Sequence, residues 1–319
     1  MPDTVTKSAA RRAILRAMRA AATCWLASLL LGAPAAQARG ELAAPAASAD
    51  SAALPRIDSA VSLLIVAPHP DDETLCCAGA IQRVVRAGGR VTVVWLTSGD
   101  AARGVLMLMS RSLFPGPAVA RELGAQRMGE ARIATERLGV SRAGQLFLGY
   151  PDGGLLELLG EHRSTPYTSA TTAAAAVPYS DALFPGHPYT GASLEHDFLA
   201  VLERAQPTVI LAPTPLDEHA DHRAAGILAQ ALGTRYAPLR YWIVHGGAGW
   251  PAPADLLPGL PLRPAPLASA LAPAAFELGP AEEDGKLSAL QAYRTQLRLT
   301  APFLLSFVRT NELYSSRAR

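Results

Sequence analysis

Short apolar runs recur along this chain, and each leads into a longer stretch with helical spacing. Val61–Val66, Val91–Thr97, Gln145–Leu148, Val209–Ala212 and Tyr241–His245 read as strands. Thr74–Ala87, Ala120–Leu138, Ser193–Arg204, Ala224–Leu232 and Ala281–Leu297 read as helices. Strands that alternate with helices are joined by crossovers, so they pair in parallel and the helices cover both faces. The expected fold is α/β, a Rossmann-like, mostly parallel sheet with helices on both faces. Open sheets of this kind bind ligands beyond the C-terminal ends of their strands. The polar residues just past each strand therefore carry most of the functional information.

Past the first strand stands His69-Pro70-Asp71-Asp72-Glu73. An N-cap accounts for one carboxylate there, but not for a His, a Pro and a pair of acids together. His69 and Asp72 are spaced i, i+3, so a turn entering a helix can aim both at one point. That suits a metal ion and leaves Asp71 free to take a proton from an activated water. Past the fourth strand stands Asp217-Glu218-His219-Ala220-Asp221-His222, whose two histidines have the same spacing and offer a third ligand. Three protein ligands with one open position characterise a catalytic zinc rather than a structural one. Asp217 and Asp221 are placed to orient the histidines through ring N–H bonds.

Together these motifs resemble the paired signatures of the PIG-L/LmbE-like zinc de-N-acetylases. The likeness runs, with interruptions, from about Val61 to Gln296. It implies His69, Asp72 and His222 as metal ligands, Asp71 as general base, and His219 as a cation beside the substrate carbonyl. It also implies that Arg127 reaches the substrate and that Asp152 contacts sugar hydroxyls. The metal implied is zinc (Zn2+), with Fe2+ or Co2+ as alternatives. The substrate implied is a small molecule or glycan carrying an N-acetyl group. Ala220 stands where the family usually has Pro, without changing the ligand spacing. Alternatives are a zinc amidase or deacylase acting on a non-sugar or longer-chain amide, and an exported protein that binds metal or glycan without turnover.

Half of the 319 residues are hydrophobic, which disfavours disorder throughout and supplies a sizeable core. The net charge is +2, with no basic stripe in the body, so nucleic acid is not an expected partner. Neither G-x-G-x-x-G after the first strand nor a P-loop is present, which removes the usual anchors for a nucleotide. Lys7, Arg11, Arg12, Arg16 and Arg19 precede an apolar run, Ala20–Leu31, and then Ala36-Gln37-Ala38. This is a signal-peptide pattern, with an apolar run shorter than the roughly twenty residues of a membrane span. The expected organisation is a signal peptide over 1–38, a flexible leader over 39–58 and a single domain over 59–319. Export to a bacterial periplasm or beyond follows, by the general or the twin-arginine route, with no stable membrane span after processing. Residues 155–191 are expected as an inserted surface loop or lid, and residues 250–280 as a second excursion. Residues 101–118 are left between a pocket-lining loop and a short core helix. Adjacent Cys76 and Cys77 are expected as small buried side chains, because neighbouring cysteines bridge only with distortion.

Overall fold

The structure, a computed structural model, describes residues 53–318, so the signal peptide and most of the leader lie outside the described residues. The central sheet has five parallel strands in the order β3-β2-β1-β4-β5. They are β1 (Ser62–Ala67), β2 (Arg90–Thr97), β3 (Gln145–Tyr150), β4 (Val209–Pro213) and β5 (Leu239–Trp242). Every residue of β1, β3 and β4 is buried, as expected for strands covered on both faces. The chain winds outward from β1 through β2 to β3, then returns to lay β4 on the other side of β1. The strand order therefore reverses between β1 and β4. Leu63, Leu64 and Ile65 pair there with Val209, Ile210 and Leu211. At such a reversal the connections leave in opposite directions and open a crevice. The two sequence motifs follow these two adjacent strands.

Helix α1 (Asp72–Arg86) runs back from the tip of β1 with one buried face. Residues 101–118 contain a short helix, α2 (Arg103–Ser110), followed by α3 (Pro117–Arg137). Residues 155–191 correct the expectation of a surface loop. They open with a single helical turn, α4 (Leu155–Leu159), and then bury Val177, Tyr179, Ala182 and Tyr189 in the core. Aromatic side chains spaced without a period anchor this segment, so no periodicity announced it. Helix α5 (Gly191–Ala205) starts earlier than expected: Thr190, not Ser193, is its N-cap, and the Thr190 hydroxyl accepts the Ser193 N–H. Helix α6 (Ala220–Leu228) carries the second motif at its start.

The expected single helix over Ala281–Leu297 is two helices, α7 (Pro280–Leu290) and α8 (Arg294–Leu305). Residues 250–280 lead into β6 (Ala274–Glu277), which pairs antiparallel with β7 (Asn311–Tyr314), a pair the sequence reading did not anticipate. Glu312 of β7 is buried and accepts hydrogen bonds from Lys286 Nζ (3.0 Å) and the Gly79 N–H (2.9 Å), which ties β7, α7 and α1 together. Ala53 is also buried, so the end of the expected leader already packs on the core. Cys76 and Cys77 are bonded to each other through their sulfurs, against the expectation of free thiols. Among the described residues no helix is long and apolar enough to cross a membrane.

The start of α7 is held to α1 by charge. Glu282 accepts from Arg83 Nη2 (2.7 Å) and the Gly279 N–H (2.9 Å), and also pairs with Arg86. Burial pushes its carboxyl up, but Arg83, the Gly279 amide and Arg86 outweigh burial and hold it below its ordinary value. A lowered carboxyl contributes stability above its unfolded pKa and loses it as pH falls through the folded value. Both arginines are partly exposed, so the gain is under about 1 kcal/mol. Glu282→Gln should therefore melt below the wild type at pH 7, and the gap should close between about pH 5 and pH 3 in calorimetry.

Candidate functional site

The turn after β1 is built around one strained residue. Asp71 has φ 124°, a region that costs an L-residue on the order of 1–3 kcal/mol. Its carbonyl accepts the Thr74 and Leu75 N–H groups (both 3.0 Å), so its backbone opens α1 while its side chain makes no cap. The N-cap explanation of this carboxylate is thereby removed. Glu73, fully buried, holds the turn from beneath. One of its oxygens accepts from the Trp95 Nε1–H (2.9 Å) and the Asp71 N–H (3.3 Å), and the other from the hydroxyls of Tyr293 and Thr74. Sequence reasoning gave Glu73 no role. Its partners come from β2 and the α7–α8 junction, which no local pattern connects.

Asp72 Oδ2 is where the two motifs meet. It accepts the His69 backbone N–H (2.9 Å) and lies 3.3 Å from His69 Nδ1 and 3.2 Å from His222 Nε2. Each ring is turned by a carboxylate on its far side. His69 Nε2 lies 3.2 Å from Asp221 Oδ2 and 3.3 Å from Asp152 Oδ1. His222 Nδ1 lies 3.2 Å from Asp217 Oδ2. The N–H of each neutral ring belongs on those carboxylates, so each ring presents a lone pair toward Asp72. His222 Nε2 is buried and has no hydrogen-bond partner despite its closeness to Asp72. Two lone pairs and a carboxylate oxygen facing one another repel, and a ring proton or a divalent cation between them relieves it. Ligand atoms roughly 2.0–2.1 Å from one ion, near-tetrahedral about it, stand a little over 3 Å apart, and each of these nitrogens lies at such a distance from Asp72 Oδ2.

The electrostatics agree. Burial pushes both rings toward the neutral form, yet the carboxylates win. Asp152, with Asp221 and Asp72, raises His69 well above its ordinary pKa, while Asp72 and Asp217 lift His222 to about 9. Burial raises Asp72 as well, but His222 and His69 hold it well below the usual carboxylate range. The site attracts positive charge, whether protons or a divalent ion. The ligand atoms of His69, His219 and His222 also lie within 4.8 Å of one another, so His219 borders the same space.

Asp71 stands beside this centre without joining it. Its Oδ2 accepts from Arg127 Nη2 (3.1 Å). Burial, then Asp72 and Glu73, push its carboxyl up to about 7, with Arg127 and His69 opposing. The remaining Arg127 bonds run to Pro70 O (2.6 Å) and Gly99 O (2.8 Å), so Arg127 is chiefly a clamp on Asp71. Gly99 has φ +67°, and a Cβ there would overlap the guanidinium. Asp152 is likewise committed to protein, accepting the Ala101 N–H (2.8 Å) as well as facing His69. The expected pairing of Asp221 with a histidine of its own motif is corrected: its carboxylate meets His69, while its backbone N–H donates to His219 Nδ1 (3.2 Å). That bond leaves the proton of a neutral His219 on Nε2. Burial, with His69 and His222 nearby, pushes this ring down to about 4, which favours its neutral form.

These groups floor a cavity of about 370 Å³. His69, Asp71, Asp152, Arg127 and His219 form a polar wall, and Leu75, Val244, Phe303 and Leu304 an apolar one. His245, expected as an isolated surface or loop histidine, lines the cavity instead. Its ring stacks on Phe303 (centroids 5.8 Å apart) and stands 4.8 Å from the His222 ring. The available signal was its place just beyond β5, the strand beside β4. By contrast, His187 and His196 both face buried Asp197, and His162 lies against Thr165 O.

Residues 64–232 match the family described as PIG-L, GlcNAc-PI de-N-acetylase, which spans both motifs. A Geodermatophilus obscurus protein named 1D-myo-inositol 2-acetamido-2-deoxy-alpha-D-glucopyranoside deacetylase is 38% identical over 98 residues, or 30% of this chain. The chain spans about a third of that relative's length (32%). A Mycobacteroides abscessus protein of the same name is 27% identical over 258 residues, covering 75% of this chain and 82% of that protein. The crystal structure of the antimicrobial pseudoaglycone deacetylase Dbv21 has the same fold. Its TM-score is 0.50 at 20% identity, over 75% of this chain and 84% of that one.

Asp217→Asn keeps the shape of the carboxylate behind His222 but removes its charge. Divalent-metal affinity, read by chelator competition, should fall 10–100-fold. An unchanged affinity would show that His222 does not face a bound ion.

Proposed function

The chain belongs to the PIG-L family, and from that membership we propose that it is a zinc-dependent de-N-acetylase acting on an amino sugar or sugar conjugate. The observation that carries the reading is the Asp71 carboxylate, bonded by Arg127 at 3.1 Å, next to Asp72, whose Oδ2 lies 3.3 Å from His69 Nδ1 and 3.2 Å from His222 Nε2. A site that only stores metal has no use for such a group. His69, Asp72 and His222 would hold the ion, and when bound it would polarise the acetyl carbonyl and acidify water.

The protein groups account for the proton movements. Asp71 accepts a proton from the water that attacks the carbonyl carbon, helped by the burial that raises its basicity. The carbonyl oxygen, as it gains charge, takes a hydrogen bond from His219 Nε2–H. Asp71 then returns the proton to the nitrogen as the C–N bond breaks, releasing acetate and a free amine. Asp152 steadies the His69 ring from behind and also lines the cavity, where it can meet sugar hydroxyls. The polar wall suits sugar hydroxyls. The apolar wall of Leu75, Val244, Phe303 and Leu304 supports a second reading, an amide with a longer acyl chain or an apolar aglycone. The N-terminal pattern over residues 1–38 supports action outside the cytoplasm, where envelope glycans are the available substrates.

Metal analysis and acyl release from a panel of N-acetyl and N-acyl amino sugars test this directly. His222→Ala should lose the metal, while Asp71→Asn should keep it and lose about 10²–10⁴-fold in kcat. Equal turnover by Asp71→Asn and wild type would remove the general base. Release of long acyl groups without release of acetate would favour the second reading.

A further inference from the structure

The turn between β2 and α2, residues 97–102, touches both halves of the site, and its Ala101 and Ala102 line the cavity. Gly99 O receives Arg127 Nη1 at 2.8 Å, and Arg127 in turn holds Asp71. The Ala101 N–H donates to Asp152 Oδ2 at 2.8 Å, and Asp152 faces His69. The turn is bonded inward by Thr97, whose hydroxyl donates to Pro68 O (2.9 Å) and accepts the Gly99 N–H (3.2 Å). Between its two contact points sits Asp100, fully buried, one oxygen of which has no partner. Its other oxygen receives the Tyr179 hydroxyl at 2.5 Å.

Tyr179 belongs to the segment over residues 155–191, far from either motif in sequence. It is buried, and space has been made for it on two sides. A Cβ on Gly124 of α3 would collide with its hydroxyl, and one on Gly149 would press on its ring at 3.1 Å. A buried carboxylate with a single donor depends on that donor for its position. We infer that Tyr179 is a positioning residue of the site: through Asp100 it sets the 97–102 turn, and through that turn the placing of Arg127 on Asp71 and of Asp152 on His69. The segment that carries it thus acts as a brace from behind rather than a lid over the mouth. The inference rests on the de-N-acetylase reading for its kinetic readout only.

The test uses the full chain with Tyr179→Phe, which removes one oxygen and keeps the ring. Amide exchange at Gly99 and Ala101 is measured without substrate and should quicken at least roughly tenfold. Turnover is measured on the N-acyl amino-sugar panel. Displacements of about 1 Å cost up to 10²-fold, so kcat should fall roughly tenfold or more, with KM changed less than about threefold. Metal content should be unchanged. Asp100→Asn, which keeps an acceptor oxygen for Tyr179, should retain near wild-type kcat and exchange, whereas Asp100→Ala should behave as Tyr179→Phe does. If Tyr179→Phe fails to fold, the two Asp100 variants decide between the same outcomes. Unchanged exchange at the turn overturns the inference, as does faster exchange with unchanged kcat, which would make the bond structural only. If exchange quickens but the wild type hydrolyses nothing in the panel, the reaction assigned to the site fails while the bracing of the turn stands.

Discussion

Buried negative charge at the tips of β1 and β4 is the constraint that the rest of this molecule answers. Asp71 and Asp72, with half-buried Asp152, line one crevice, buried Glu73, Asp217 and Asp221 lie behind it, and the buried guanidinium of Arg127 is set among them. Carboxylates removed from water are costly unless paired. Here the pairing is layered. Asp217, Asp221 and Asp152 each take the far side of an imidazole, which turns the near nitrogens toward Asp72. Those nitrogens and the carboxylate then draw positive charge into the space between them.

Holding that arrangement requires a rigid surround, and the fold supplies it from elements distant in sequence. Glu73 grips the strained Asp71 turn with Trp95 from β2 and Tyr293 from the α7–α8 junction. Arg127 from α3 spans Pro70, Asp71 and Gly99. Asp217 accepts the Val244 and His245 N–H groups (3.0 and 3.1 Å), so the same carboxylate that orients His222 also fixes the loop after β5. The strain at Asp71 is sustained because its neighbours over-determine it. The result is a carboxylate close to the cation centre but aimed past it, into the cavity.

The division of labour across the cavity also follows from topology. Most of the polar groups come from the turns after β1, β3, β4 and β5, where a parallel sheet ends in unpaired backbone, with Arg127 added from α3. The apolar wall comes mainly from α8, which exists as a separate helix because the chain breaks at residues 291–293. Tyr293, at that break, bonds Glu73, while Phe303 of α8 stacks on His245.

The sequence by itself determined the strands, the parallel sheet and the two motifs, because strand runs and i, i+3 spacings are local and survive without neighbours. His69, Asp71, Asp72 and His222 stood out as candidates for that reason, and Asp217 stood close enough to His222 to be paired with it. The tertiary structure alone decided which carboxylate meets which ring, giving Asp221 to His69 rather than to its own motif. It alone gave Arg127 its bond to Asp71 and Asp152 its place behind His69, and brought in Glu73, His245, Asp100 and Tyr179. Those roles depend on distances between residues tens to hundreds of positions apart. Such distances are fixed only when β4 settles beside β1 and the helices close around them.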